Sequence, residues 1–241
     1  MGKSKDLASG NSAAYVETAG DTMSGKLTVQ NDQDITGNIT HNPSGSGNKY
    51  LFLNAASSGD GHILFQRAGS NKYQISSDTS NNLFTWNYAK NGTSFRINAD
   101  GSIIMPHQPS FSAYRDAGTV TSGNVYIFDH TNYNIGNMYN TSNGRATVPV
   151  AGRYLVTIWV MSENNATWNN RYLRLRINAT GASAVGYKNI YGSNGGSVHH
   201  QWSWSGVISL NANDYIDLYS DNFDVYGNDA KYSNFSMHLL S

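Results

Sequence analysis

A chain of 241 residues with sixteen basic against sixteen acidic side chains, and only 13% charged, can bury a sizeable core but lacks the electrostatic footprint that phosphate backbones or anionic lipids demand. Binding to nucleic acid and insertion into membranes are therefore not expected. With no cysteine, neither a disulfide framework nor a thiolate zinc site can form.

Residues 1–20 read as a flexible lead or attachment peptide. Their positive residues are not followed by an apolar run, so neither a secretory signal nor an anchor is expected. No later stretch approaches the ~20 apolar residues of a membrane span. Residues 21–47 hold short polar strands, "GKLTV" and "DITGNIT", and form an N-terminal attachment segment ending in the loop "HNPSGSGN".

Over 48–108 the bursts "KYLFLNA", "HILFQRA", "YQISSD", "LFTWNYA" and "SFRINADGSIIM" alternate with turns such as "SGDG", "AGSN" and "KNG". They form a β-rich shaft. Each burst is too short and too polar at alternate positions to close a core alone, so pairing with other copies of the chain is expected.

Two prolines in "MPHQPSF" mark a boundary. Beyond it, residues 109–241 carry longer strands: "NVYIFDHT", "GRYLVTIWVMSE", "RYLRLRINAT", "SVHHQWSWSGVISL", "DYIDLYSD" and "NFSMHLL". Their spacing suits a sandwich or jelly roll. No stretch shows helical amphipathicity over an ordinary length, and Asn, about an eighth of the chain, favours turns, so the fold class is all-β.

Period-two alternation assigns faces. In "RYLRLRI", Leu173, Leu175 and Ile177 share a core face, while Tyr172, Arg174 and Arg176 point the other way. The strand from Tyr154 differs, because Tyr154, Val156, Ile158 and Val160 alternate with Leu155, Thr157, Trp159 and Met161. Both its faces are largely apolar, and without helices the expected cover is another subunit. Tyr154, Trp159, His200, Trp202 and Trp204 are the candidate interface residues. His199 and His200, being adjacent on a strand, point to opposite faces and cannot chelate one metal together. A histidine from each copy could meet only on a symmetry axis.

For binding, Trp168 in "ENNATWNN", Tyr191 in "NIYGSNGG", and Phe223 and Tyr226 in "DNFDVYGND" set flat aromatic rings among Asn and Asp. That combination suits sugars, the ring covering a pyranose face while amides bond hydroxyls. Catalysis is not expected. A glycosidase needs two carboxylates flanking one bond, the sequence has only Glu17 and Glu163 beside its aspartates, and no nucleophile elbow, phosphate cradle or HExxH pattern occurs. The "YSDNFDVYGND" run lacks the fixed spacing of an EF-hand, so it reads as a polar loop of Asx turns, with no metal or cofactor expected.

The stretches "FSAYRD" from Phe111, "VYIFDHTNYNIGNMYN" from Val125, "GRATVPVAGRYLVTIWV" from Gly144 and "NFSMHLL" from Asn234 resemble the globular heads of complement's first component. Those heads share a jelly roll with the tumour necrosis factor family. Asn213 and Ser236 depart from the pattern, standing where that family usually or often has glycine. "ETAGDTMSGKLTV" from Glu17 is similar to a phrase of bacteriophage tail fibres, and "FRINADGSIIMPHQPSF" from Phe95 looks like their junction of shaft and tip.

Both resemblances imply homotrimers. Together they imply a virion tail fibre, made in the host cytoplasm, joined to other tail proteins through its N-terminal segment. Its head would bind a host-surface glycan or protein. A virion depolymerase and a secreted complement-like trimeric ligand are the alternatives.

Overall fold

The computed structural model describes residues 57–164, 172–179, 188–191 (backbone), 199–221, 224–227 and 229–241. All lie in one compact unit, Phe52–Ser241. The lead peptide, the attachment segment and the first shaft burst lie outside the described residues. Among those described, the regular structure is sixteen strands and one 3-10 turn, Ala230–Tyr232.

The first five strands are β1 (Gly61–Arg67), β2 (Ser70–Ser77), β3 (Leu83–Asn87), β4 (Gly92–Ile97) and β5 (Ile103–Ile104), and they form one antiparallel meander in sequence order. Where the sequence suggested pairing between copies, these strands find their partners within the chain. Tight reversals explain this: Gly69 turns at φ 72°, Asn81 at 62° and Asn91 at 47°, left-handed values that Gly and Asn tolerate, and Ala68 joins Gly69 there at 50°, so consecutive strands come side by side.

The rest is a two-layer antiparallel sandwich, the jelly roll expected. One sheet runs β13 (Gln201–Leu210), β10 (Gly152–Ser162), β16 (Ser233–Leu239), β6 (Ser110–Tyr114), β7 (His130–Ile135), with the short β15 (Val225–Tyr226) also pairing β10. The other runs β12 (Lys188–Tyr191), β11 (Tyr172–Ile177), β14 (Tyr215–Asp221), β9 (Arg145–Thr147), β8 (Tyr139–Asn140).

Between the layers Tyr154, Val156, Ile158 and Val160 of β10 meet Leu173 and Leu175 of β11 and Ile216 and Leu218 of β14, all 0% exposed. Phe111 anchors the aromatic part of this core, stacked on Tyr139 at 5.0 Å and edge-on to Phe235 at 4.9 Å.

Two departures have local causes. Asn213 sits at φ 71° in the β13–β14 turn, a backbone position that glycine fills freely and asparagine tolerates. Arg176, assigned by alternation to the outer face of β11, is nevertheless buried. Its register partner Asp217 accepts both Nε and Nη2, at 2.6 and 2.8 Å, and its guanidinium lies 4.5 Å from the Tyr219 ring centre.

A five-residue tether, Met105–Pro109, joins meander to sandwich. Gln108 Nε2 donates to the Leu239 carbonyl at 2.9 Å, and the Leu239 amide donates to the Pro109 carbonyl at 3.0 Å. The tether therefore enters at the Gly152–Leu239 end, since Tyr154 pairs with Leu239. The opposite end carries Ser162, Glu163 and Tyr226.

Candidate subunit interface and ligand-binding end

Strand β10 is an interior strand of its sheet, between β13 and β16, so its outward face is flanked by neighbours on both sides. Register places the outward side chains in rows. Ser205, Thr157, Ser236 and Ser112 form one straight row across four strands. Thr157 Oγ1 and Ser205 Oγ are 3.1 Å apart, and Asn234 Nδ2 and Asn132 Nδ2 donate to Ser112 Oγ at 3.1 and 3.2 Å.

Apolar residues border this belt of small hydroxyls. Leu155 with Val207, the latter 52% exposed, forms the row toward the tether, and Trp159 and Met161 lie toward the far end. A groove of about 830 Å³ follows the outward face past Trp159, Met161, Gln201, Ser203, Lys231 and Tyr232. Small residues permit close approach of another backbone, while the flanking apolar side chains give it something to bury.

Of the five residues expected at a subunit contact, Trp159 alone lies on this outward face. Tyr154 and Trp202, 0% and 2% exposed, are enclosed in the protomer's own core, and Trp204 packs against that core beside Gly206. Their apolar character is accounted for inside the sandwich. His200 precedes β13 and is held by backbone bonds to Ser162: its amide donates to Ser162 Oγ at 3.0 Å and its carbonyl accepts the Ser162 amide at 2.8 Å. His199 Nδ1 donates to the Ser162 carbonyl at 2.7 Å, which fixes its tautomer. The residues that sequence reasoning passed over, Thr157, Ser205, Ser236 and Ser112, give no signal until strand register lines them up.

The far end of the sandwich gathers a ring cluster. Tyr226 meets His199 edge-on at 5.2 Å and Tyr232 at 5.1 Å, and Lys231 Nζ lies 4.9 Å from the Tyr232 ring. Burial pushes the nearby Tyr126 phenol up from its ordinary 10.0 to about 12, and its hydroxyl donates to the Tyr226 carbonyl at 3.3 Å. Tyr226 is thus half-buried and tied to the fold. Trp168 and Phe223 lie outside the described residues, as does the side chain of Tyr191, whose backbone pairs with Tyr172.

The loops at this end are pinned by side chains. Arg115 Nε, Nη1 and Nη2 donate to the carbonyls of Gly118, Ile127 and Ala117 at 2.6, 2.8 and 3.0 Å. Asp224 Oδ1 accepts the Ser122 amide at 2.8 Å, and Thr119 donates to Glu163. Among the described residues no three His, Asp or Glu side chains come together as a metal site.

Comparison with known proteins places this geometry. Residues 110–240 match the family described as the C1q domain. Among solved structures, the chain is similar to the globular domain of zebrafish complement 1qA, with 17% identity, 56% of this chain and 98% of that chain covered, and a TM-score of 0.44. It is also similar to murine APRIL at pH 5.0, with 11% identity, coverage of 55% and 99%, and a TM-score of 0.45. The corresponding values for the Eiger TNF of S. frugiperda are 11%, 56%, 93% and 0.43. No curated protein matches the chain.

Proposed function

The chain belongs to the C1q domain family, and from that premise we propose that it is a homotrimeric binding protein whose heads join through the outward face of β10 and engage a ligand at the end remote from the tether. Homotrimers are the assembly of C1q domains. The observation that carries the interface is the outward face of an interior strand, where Leu155, Trp159 and Met161 stay half-buried beside the Ser–Thr belt. Sedimentation equilibrium tests it: the expected particle has three chain masses of 26.3 kDa, and a single chain mass at micromolar concentration overturns it.

The finer reading is a virion tail fibre that attaches to a host surface. It is supported by "GDTMSGKL" from Gly20 and by the order of segments: fibre phrase, short-strand shaft, proline-marked junction, globular tip. Receptor binding falls to Trp168, Tyr191, Phe223 and Tyr226, and a glycan is the ligand class their rings and neighbouring amides suit. The role is adhesion, not catalysis. Purified protein should block adsorption of the virus to its host, and Trp168→Ala should weaken the block. Immunogold labelling of virions distinguishes this from a secreted complement-like ligand, the reading that the family match supports equally well.

A further inference from the structure

The meander β1–β5 is a single layer, and register assigns each paired side chain to one of its two faces. Pairing of Ile63 with Ile75, Phe65 with Tyr73, Ser77 with Leu83 and Ile97 with Ile103 puts these residues on one face, joined by Phe95 through Thr85. Arg67, beside the β1–β2 turn, is the one charged residue of the five strands' paired positions on that face. Yet Ile63, Phe65, Tyr73, Ile75, Leu83 and Ile103 stand 38–59% exposed.

The opposite face is organised differently. There His62 Nδ1 lies 2.8 Å from Ser76 Oγ, Gln74 Nε2 donates to Ser76 Oγ at 2.6 Å, and Tyr88 donates to Gln74 Oε1 at 2.7 Å, a hydrogen-bonded network beside Arg96. That face also carries Leu64, Phe84, Trp86 and Ile104, set around the polar network. The first face sets six large, exposed apolar side chains across its strands, and a sheet with such a face calls for a second layer.

We infer that the apolar face of this meander packs against the same face of neighbouring copies, giving the molecule a second shared core beside the heads. The inference rests on the homotrimer reading above. Two observations commit the occupant to another copy. The face carries a single charge, Arg67 beside the β1–β2 turn, so nearly all of it can meet its own copy without like-charge repulsion. The tether is also five residues long and fastened to Leu239, so trimerised heads hold the meanders at a high mutual concentration. Stacked sheets separate by about 10 Å, a spacing that the facing Ile, Leu and Phe side chains fill.

The chain has no cysteine, which makes the test clean. Single-cysteine variants of the full chain are prepared at Phe65, Ile75 and Leu83 on the apolar face and at Leu64, 42% exposed, on the other. Maleimide should label the apolar-face thiols at least tenfold more slowly than Leu64→Cys, and a flexible bismaleimide should link chains through them into products of two and three chain masses. Equal labelling rates in a particle of three chain masses overturn the inference and leave the head trimer standing. Slow labelling without interchain products also overturns it, because the cover is then the chain's own. A particle of one chain mass overturns both readings.

Discussion

Tyr139 shows how much a single hydroxyl can organise. Its ring is core and stacks on Phe111, while its oxygen accepts the buried Phe128 amide at 2.8 Å. Tyr139→Phe keeps the ring and strands that amide, so chemical denaturation should show a loss of about 1–3 kcal/mol. Burial holds the Tyr126 phenol at about 12, above its ordinary 10.0. The fold favours the protonated form, so that contribution is whole below pH 10 and is lost as pH rises from 10 to 12, at most about 2–3 kcal/mol. Urea midpoints measured across that range should fall for the native chain and fall less steeply for Tyr126→Phe. The Arg176–Asp217 pair gives a sharper contrast. Asp217→Ala should cost about 3–5 kcal/mol by removing the carboxylate that neutralises a buried guanidinium, whereas replacing both residues by Met and Leu should recover most of it. Sequence alternation assigned Arg176 to the outer face correctly and still missed its burial, because the carboxylate that makes burial tolerable comes from a strand 41 residues away. Asn213 is the converse: its departure from glycine was visible in the sequence, and the left-handed backbone that explains it was not.

At the scale of the strand, β10 was legible as apolar on both faces, but not which face met which partner. An aromatic residue turned into its own sandwich and one turned toward another subunit look alike in sequence; Tyr154 and Trp159 differ only in parity. Parity becomes meaningful once the register with β16 and β13 is known, and the same register reveals the row Ser205–Thr157–Ser236–Ser112. Ser236, standing where the resembling family often has glycine, keeps that row shallow. Ser236→Arg should therefore reduce the particle from three chain masses to one in sedimentation while leaving far-ultraviolet dichroism unchanged. Thr157→Ser, which keeps the row small, should leave the trimer intact. The meander was legible as short strands with turns but not as a self-paired sheet, since the positive φ angles that let each strand fold back on its predecessor are conformations and not letters.

On the scale of the whole molecule the sandwich has a direction. The tether enters beside Leu239, and the far end lies some 36 Å away along the eleven residues of β10. A chain truncated to begin near residue 105 keeps the outward face of β10, so sedimentation equilibrium should show it as three truncated-chain masses that separate on dilution more readily than the full chain, whose meanders add a second contact. The tether also determines how the head responds to mechanical load. Tension drawn through Pro109 pulls on β6 along its own axis while its neighbours β16 and β7 flank it on either side, so every ladder bond of that strand is loaded in shear at once instead of being peeled open one by one. Gln108 and the Leu239 amide share the strain at the point of entry, and the head is built to be pulled from that end.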